Sequence, residues 1–346
     1  MKAGELAFVT GATGFIGTKL IEKLVDRGIR VRGLSRRENP QPPPCLSGEG
    51  GNIFAHELVE LVRGDVTDRE SVFHGMEGCD YCFHLAAYAK NWAPSREVFY
   101  KTNIEGTRSV FDAVKAFGVR RVVWTSTCLT TGPTPPGAIG DETMIHNDEF
   151  FTLYEETKTL MEREAVAMAA EGFPVVIVNP TRVFGPGQLT EANSCIRLID
   201  EYDRGLAPFL LNRGVNVGNW VLVDDVAEGH ILAMERGRIG QRYLLGGDNA
   251  SLKELLEMVD KVSGRRHLQI PLLTYAPMVF AWLQRKRAEW FGIYPTITPG
   301  WIKTFATDWA YRCDKAKAEL GYRFTPLSDG IQSTYQWIQR VRRQVA

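Results

Sequence analysis

Thr10-Gly11-Ala12-Thr13-Gly14-Phe15-Ile16-Gly17 decides how the rest of the chain is read. It follows Leu6-Ala7-Phe8-Val9, a short apolar run of the kind that forms a buried strand. It precedes Thr18–Val25, whose apolar residues recur at helical spacing. A glycine-rich turn between a strand and a helix is the setting that a dinucleotide fingerprint needs. Gly11 permits the tight turn, Gly14 leaves the backbone open to a diphosphate, and Gly17 lets the helix pack closely. The helix amino end then offers unpaired N–H groups and a partial positive charge to the phosphates.

Outward from this turn, strands are expected at Leu6–Val9, Arg30–Leu34, Val59–Val62, Tyr81–His84, Arg121–Thr125 and Val175–Asn179. Helices are expected at Ile16–Arg27, Val98–Phe117 and Leu153–Glu171, with Gly118 and Gly172 as stop signals. Such alternation predicts an α/β chain: a Rossmann-type doubly wound parallel sheet with helices on both faces. The Pro- and Gly-rich Glu38–His56 reads as a surface loop. Beyond Asn179 the expectations are a helix over Thr190–Gly205, a strand-to-helix unit from Asn219, a strand at Arg242–Leu245 and a helix over Ser251–Ser263 capped by Ser251. This places a dinucleotide-binding domain over residues 1–180, rejoined by 219–247. A smaller, mostly C-terminal substrate-binding subdomain takes 181–218 and 248–346.

Composition narrows the function. The 346 residues are 44% hydrophobic, enough for a large core and one or two domains. Net charge is zero with no long run of one sign, which points away from nucleic acid and anionic membranes. Met1-Lys2-Ala3-Gly4-Glu5 leads straight into a strand, so no signal peptide and a cytoplasmic location are expected. The six cysteines are scattered and read as reduced core thiols. Cys79 and Cys82 have no second pair and no His cluster beside them, so no metal is assigned. Tyr275–Phe291 is aromatic-rich but interrupted by Gln284-Arg285-Lys286-Arg287, too short and too polar to span a bilayer. A helix packed on the core, a substrate-lining wall and weak interfacial contact are the readings for it.

Tyr154 and Lys158, four apart on a helix-prone stretch, share one helix face. They follow Val122-Val123-Trp124-Thr125-Ser126-Thr127, where small hydroxyl residues end a strand at the carboxyl edge of the sheet, the ligand-binding edge of doubly wound proteins. A lysine ammonium beside the phenol is expected to lower its pKa toward neutrality. Tyr154 then exchanges a proton with a substrate oxygen while Thr127 hydrogen-bonds that oxygen. The second strand ends in Ser35 and Arg36 with no acid. An acid there binds a ribose 2′-hydroxyl and an arginine suits a 2′-phosphate, so NADP is expected over NAD.

These residues together resemble the extended short-chain dehydrogenase/reductases, the superfamily of NAD-dependent epimerase/dehydratases. The marks are the opening glycine turn, Gly64-Asp65-Val66-Thr67-Asp68, His84-Leu85-Ala86-Ala87, Asn103-Ile104-Glu105-Gly106-Thr107 and the Tyr154–Lys158 pair. Asn179-Pro180-Thr181-Arg182-Val183-Phe184-Gly185-Pro186-Gly187 and Val223-Asp224-Asp225-Val226-Ala227 complete them. Beyond the turn residues Gly11, Thr13, Gly14, Phe15, Ile16 and Gly17, the resemblance implies Asp65 and Val66 at the adenine and Ala86 and Ala87 along the diphosphate and ribose. It implies Thr125 and Lys158 at the nicotinamide ribose, and Pro180 and Val183 bordering the nicotinamide. Thr127, Tyr154 and Lys158 become the catalytic triad, with Thr127 where such enzymes usually carry Ser.

The nearest look is to dihydroflavonol-reductase-like and 3β-hydroxysteroid-dehydrogenase-like members. Cys128-Leu129 stand where sugar-nucleotide dehydratases carry Asp-Glu. Gly218, seven residues before Asp225, stands where sugar-nucleotide epimerases carry a diphosphate-binding arginine. The expected activity is therefore interconversion of an alcohol and a ketone or aldehyde on a small hydrophobic substrate, for which Trp92, Trp220 and Tyr275–Phe291 are candidate pocket residues. A nucleotide-sugar epimerase that holds its diphosphate by other residues is the second reading. A non-enzymatic NADP-binding sensor is the third, and the retained Tyr–Lys pair argues against it. The resemblance also implies a homodimer, through Val98–Phe117 and Leu153–Glu171, or else a monomer.

Overall fold

The apolar runs of the first half assemble as the alternation predicts. In a computed structural model, which describes residues 1–38, 40, 52–187, 193–207 and 209–345, the elements run β1 Leu6–Thr10, α1 Phe15–Val25, β2 Arg30–Ser35, β3 Val59–Arg63, α2 Arg69–Met76, β4 Tyr81–His84, α3 Glu97–Tyr100, α4 Gly106–Ala116 and β5 Arg121–Thr125. They continue as α5 Leu153–Ala170, β6 Val175–Pro180, β7 Arg182–Phe184, α6 Ser194–Asp203, β8 Phe209–Leu211, β9 Val217–Leu222, α7 Val223–Arg236, β10 Arg242–Leu245 and β11 Asp248–Ser251. The last are α8 Leu252–Ser263, β12 Ile270–Leu272, α9 Tyr275–Phe291, α10 Pro299–Phe305 and α11 Leu327–Val345.

Seven strands form one sheet in the order β10-β6-β5-β4-β1-β2-β3, with every pairing parallel. The chain winds outward from β1 in both directions, so the order reverses between β1 and β4. Ligands of doubly wound sheets bind at the carboxyl ends of strands at such a switch point. Every residue of β1 and β6 is buried, because helices cover both faces. On one face Leu20, Ile21 and Leu24 of α1 pack with Val226 and Ile231 of α7. On the other, Met76, Val110, Phe111 and Met161 come from α2, α4 and α5. Each such side chain contributes roughly 1.5–3 kcal/mol on burial.

Smaller sheets, β11-β9-β7 and β12-β8, flank the main one, and a third core of Ile196, Ile199, Leu255, Leu256, Ile331 and Trp337 joins α6, α8 and α11. Several expectations shift in detail. The helix foreseen over Val98–Phe117 is α3 and α4 joined by a π-helical turn at Lys101–Glu105. The helix foreseen from Thr190 is α6, and its first expected residues lie outside the described ones. So does most of the expected loop Glu38–His56, although Ile53–Ala55 forms a short 3-10 turn. Cys79 precedes β4 rather than lying in it; it and Cys82 are buried free thiols. Among the described residues no helix is long and apolar enough to cross a membrane.

Tyr275–Phe291 forms α9 over that same range, but the core reading of it is corrected. Only Ala281 and Ala288 are buried, and Phe280, Trp282, Leu283, Trp290 and Phe291 are exposed. Aromatic content did not distinguish a buried helix from an exposed one, because periodicity is what sets a buried face and α9 lacks it.

Candidate active site

Gly11 adopts φ +69°, and a Cβ there would lie 2.9 Å from the Ala86 backbone nitrogen. A Cβ at Gly17 would overlap the Gly11 carbonyl oxygen, so only glycine lets α1 come this close to the turn. Helices α5 and α8 begin with complete capping boxes, Thr152 with Glu155 and Ser251 with Glu254. Helix α1 begins at Gly14 with no side-chain cap and no acid in its first turn. Its opening N–H groups and positive dipole end are thus left for an anion at the switch point. Of the other turn residues, Phe15 is buried and Thr13 and Ile16 are half-buried.

At the end of β2, Ser35 is buried, and its hydroxyl donates to the Arg37 carbonyl (2.8 Å) and accepts from the Arg37 amide (3.1 Å). Arg36 stands out in solvent, 3.9 Å from Asp65. Asp65 Oδ1 accepts from the Thr67 amide and hydroxyl, both at 2.9 Å. Val66 packs against Gly106. Ser35 is therefore occupied by its own turn, while the guanidinium of Arg36 projects into solvent beside Asp65.

Between β1 and β4 a chain of hydrogen bonds anchors the Ala86–Ala87 backbone. The Ala86 amide donates to Thr10 Oγ1 (3.2 Å), which lies 2.6 Å from His84 Nδ1. His84 Nε2 lies 3.0 Å from Thr107 Oγ1, and that hydroxyl donates to the Asn103 carbonyl (2.8 Å). Burial, and behind it the charge of Lys158, pushes His84 down to about 3, so the ring is neutral at ordinary pH. The Thr107 proton is spent on Asn103, hence His84 Nε2 carries the ring proton and Nδ1 accepts from Thr10. Asn103 Oδ1 accepts from the Tyr88 amide (2.7 Å) and Nδ2 donates to Thr157 (3.0 Å). It sits in the π-helical turn, a distortion frequent at functional sites.

Tyr154 lies in the first turn of α5 and Lys158 one turn further on. The Lys158 ammonium is 1% exposed, donates to the Thr125 carbonyl (2.6 Å) and stands 4.2 Å over the Trp124 ring. Burial pushes it down to about 7, with Glu162 opposing. The expected depression of the Tyr154 phenol is not what the structure shows. Burial raises its pKa, the neighbouring Cys128 raises it further, and only Thr127 acts the other way. The ammonium is directed to Thr125, so desolvation of the phenolate dominates. Tyr154 is accordingly a protonated phenol beside the Thr127 hydroxyl.

Thr125 Oγ1 lies 2.8 Å from His230 Nε2, whose Nδ1 is 2.7 Å from the Val226 carbonyl. Burial holds His230 down to about 4, so Nδ1 donates to that carbonyl and Nε2 accepts the Thr125 proton. The Thr125 oxygen is left as an acceptor for a ligand hydroxyl. Pro180 is buried at the end of β6 and Val183 half-buried in β7. Trp220 is buried, with Nε1 donating to the Ala250 carbonyl (2.8 Å), so it is not a free pocket wall. Trp92 meets Tyr294 edge-to-face at 5.7 Å.

Sequence reasoning assigned no role to the polar braces under the triad. Glu162 is 3% exposed; it accepts from Asn179 Nδ2 (2.7 Å), Thr130 Oγ1 (2.9 Å) and Arg242 Nη1 (2.9 Å). Asn179 also donates to the Thr127 carbonyl (3.0 Å), tying β6 to the triad loop. Glu162 follows Lys158 at helical spacing, a signal that was present; Arg242, 80 residues from Glu162, left none. Two surface depressions, one around Lys315 and one around Gln336, touch no triad residue.

A profile of the NAD dependent epimerase/dehydratase family matches residues 7–246. Over 341 residues the chain is 30% identical to a Synechocystis sp. protein that carries the name of a dihydroflavonol 4-reductase, covering 96% of this chain and 94% of that one. It is 34% identical over 270 residues to cinnamoyl-CoA reductase 1 of Oryza sativa subsp. japonica, 75% of this chain and 77% of the relative. The crystal structure of gox2253 superposes with a TM-score of 0.80 at 31% identity, over 98% of this chain and 99% of that one. With the glycine turn, the switch point and the Thr–Tyr–Lys constellation in place, the chain belongs to the NAD dependent epimerase/dehydratase family, the extended short-chain dehydrogenase/reductases.

Proposed function

We propose that this protein is an NADP-dependent oxidoreductase of the cytoplasm that interconverts an alcohol and a ketone or aldehyde. The observation that carries the reading is the pairing of a protonated Tyr154 phenol with the Thr127 hydroxyl at the carboxyl edge of the sheet, in a chain whose α1 starts uncapped after the glycine turn. The dinucleotide fits this chain: the Gly11 cradle has no room for a Cβ, and the α1 amino end has donors to spare. Gly11, Thr13, Gly14, Phe15, Ile16 and Gly17 would hold its diphosphate, Asp65 and Val66 its adenine, and Ala86, Ala87, Thr125, Lys158, Pro180 and Val183 its nicotinamide half. Arg36 would meet a 2′-phosphate with charge-assisted hydrogen bonds, and Ser35 would shape the turn that presents it. Bound there, the nicotinamide supplies or accepts the hydride.

The protein's own work is on the proton. In the reducing direction Tyr154 donates its phenolic proton to the substrate oxygen as negative charge develops there. A raised pKa keeps that proton available well above neutrality. Thr127 holds the same oxygen by a hydrogen bond. Lys158, fixed on the Thr125 carbonyl, presents its remaining N–H donors toward the ribose position. Residues 1–180 with 219–247 would form the cofactor side of the cleft, and 181–218 with 248–346 the substrate side.

Incubating the protein with NADPH and a panel of ketones and aldehydes while following nicotinamide absorbance tests the reading. Consumption of NADPH with at least one carbonyl compound, and its loss in Tyr154→Phe, is the expected result. NADPH binding without turnover of any member of the panel, in either direction, would favour the sensor reading.

A further inference from the structure

Arg182 has a setting that folding alone does not explain. It opens β7, whose register sets it opposite Trp220 of β9. Its guanidinium lies between two rings, 5.2 Å from the centroid of Trp220 and 4.4 Å from that of Phe305 at the end of α10. The group fills the space over Gly218: a Cβ there would come 2.9 Å from Nη1 and 3.0 Å from Cζ. Gly218 is the position where the nucleotide-sugar enzymes' arginine is missing, so a guanidinium reaches this spot from a different strand.

The charge has no acid to balance it. Arg182 donates from Nη2 to the Thr304 carbonyl at 3.2 Å, a carbonyl that Trp309 Nε1 also uses at 2.8 Å. No Asp or Glu among the described residues forms an ion pair with Arg182. Asp308 acts on it only from a distance, and its Oδ1 already accepts from Asn216 (2.8 Å) and the Val217 amide (3.0 Å). Burial works against the positive form of Arg182 and lowers its pKa. A largely enclosed cation without a counter-charge is costly and serves best when a ligand supplies the anion.

Its position ties it to the catalytic end. The charge of Arg182 is felt by Cys128, the residue after Thr127, and Cys128 in turn acts on Tyr154. Phe305, one wall of the sandwich, ends α10, whose Gly300 abuts the Phe151 carbonyl and the Thr152 methyl at the start of the helix bearing Tyr154. Arg182 is thus linked to the start of the helix that bears Tyr154 through Cys128 and through α10.

We propose that Arg182 binds a carboxylate of the substrate, so that the enzyme acts on hydrophobic hydroxy acids or oxo acids in preference to neutral alcohols and nucleotide sugars; this rests on the oxidoreductase reading above. With Nη2 on the Thr304 carbonyl, the other N–H groups of the planar guanidinium remain as a fork that matches one carboxylate. A diphosphate would call for several donors, and Arg182 is the one cation gathered here among the described residues. Half-buried Phe305, stacked on Trp301 at 4.2 Å, offers an apolar surface for the remainder of the acid.

Calorimetric titration of the NADP-loaded protein with 3-phenylpropanoate and with its methyl ester tests the binding without any turnover. The acid should bind ~10- to 150-fold more tightly, the worth of a charge-assisted hydrogen bond. In Arg182→Met that preference should vanish while the ester binds as before, which also certifies that the variant is folded; Arg182→Lys should restore part of it. Equal binding of acid and ester by the unmodified protein, or an acid preference that survives Arg182→Met, would overturn the assignment. A thermal shift with UDP-glucose but none with the acid would transfer Arg182 to a diphosphate and also reject it. The oxidoreductase reading is scored apart, by oxidation of 3-hydroxy-3-phenylpropanoate with NADP. Acid-selective binding without that oxidation would leave Arg182 in place and count against the redox reading alone.

Discussion

The two ends of the proposed cleft, adenosine and catalytic, hold their charges in opposite ways. At the adenosine end Arg36 is 82% exposed and its partner Asp65 lies 3.9 Å away. Such a pair contributes about 0–1 kcal/mol to folding. At the catalytic end Lys158 and Glu162 are 1% and 3% exposed, and each is tied to fixed partners. Buried charges cost several kcal/mol to desolvate, so each must be matched or must await a ligand. The adenosine end can change its charges with little consequence for the fold. If Lys158 and Tyr154 do the proposed chemistry, the catalytic end couples chemistry to stability, and substitutions should separate the two ends cleanly.

The largest expected effect is at the catalytic end. Tyr154→Phe removes one hydroxyl and should lower turnover by about 10²–10⁴-fold while NADPH binding stays intact. Steady-state kinetics with parallel calorimetry measures both, and full turnover in this variant would return Tyr154 to a structural role.

Lys158 sharpens the contrast through pH. Its native pKa of about 7 lies below the ordinary 10.5. Between those values the unfolded chain holds a proton that the native state lacks, so this residue makes stability fall as pH drops from about 10.5 to 7. The slope is about 1.4 kcal/mol per pH unit, and it levels off below the native pKa. In Lys158→Met that slope should be absent, so the variant should gain on the unmodified protein as pH falls; urea unfolding at several pH values reads it. Parallel curves for the two proteins would contradict the buried setting of the ammonium.

Glu162→Ala removes the buried carboxylate that Arg242, Asn179 and Thr130 share as an acceptor and should lower unfolding free energy by about 3 kcal/mol. A loss below about 1 kcal/mol would mean that the brace is no stronger than a surface pair.

The smallest effect on folding is expected at the adenosine end. Arg36→Ala should alter stability by no more than about 0.5 kcal/mol, yet weaken NADPH by roughly 1.5–3 kcal/mol and leave NADH unchanged. Tighter NADH than NADPH binding by the unmodified protein would remove the basis for the cofactor preference.

Local chemistry was enough for much of this. The apolar runs and the stop glycines Gly118 and Gly172 placed the strands of the main sheet and its principal helices, because central strands such as β1 and β6, buried on both faces, leave a continuous hydrophobic signature. The glycine turn and the Tyr154–Lys158 spacing were legible for the same reason: each depends on neighbours within one turn of the chain. Ser251 as a helix cap was legible too.

Tertiary structure alone decided the rest. The elevated phenol of Tyr154, the downward shift of Lys158 and the proton positions on His84 and His230 depend on desolvation by residues remote in sequence. The brace from Glu162 to Arg242 and the guanidinium of Arg182 lying over Gly218 join strands that no local pattern links. Even the exposure of α9 was undecided by its composition, since aromatic residues serve core and surface alike. Sequence spacing determined which groups are candidates for the site. Their charge states and partners follow from which side chains the fold brings around them, because dielectric and hydrogen-bond environment belong to the packed molecule.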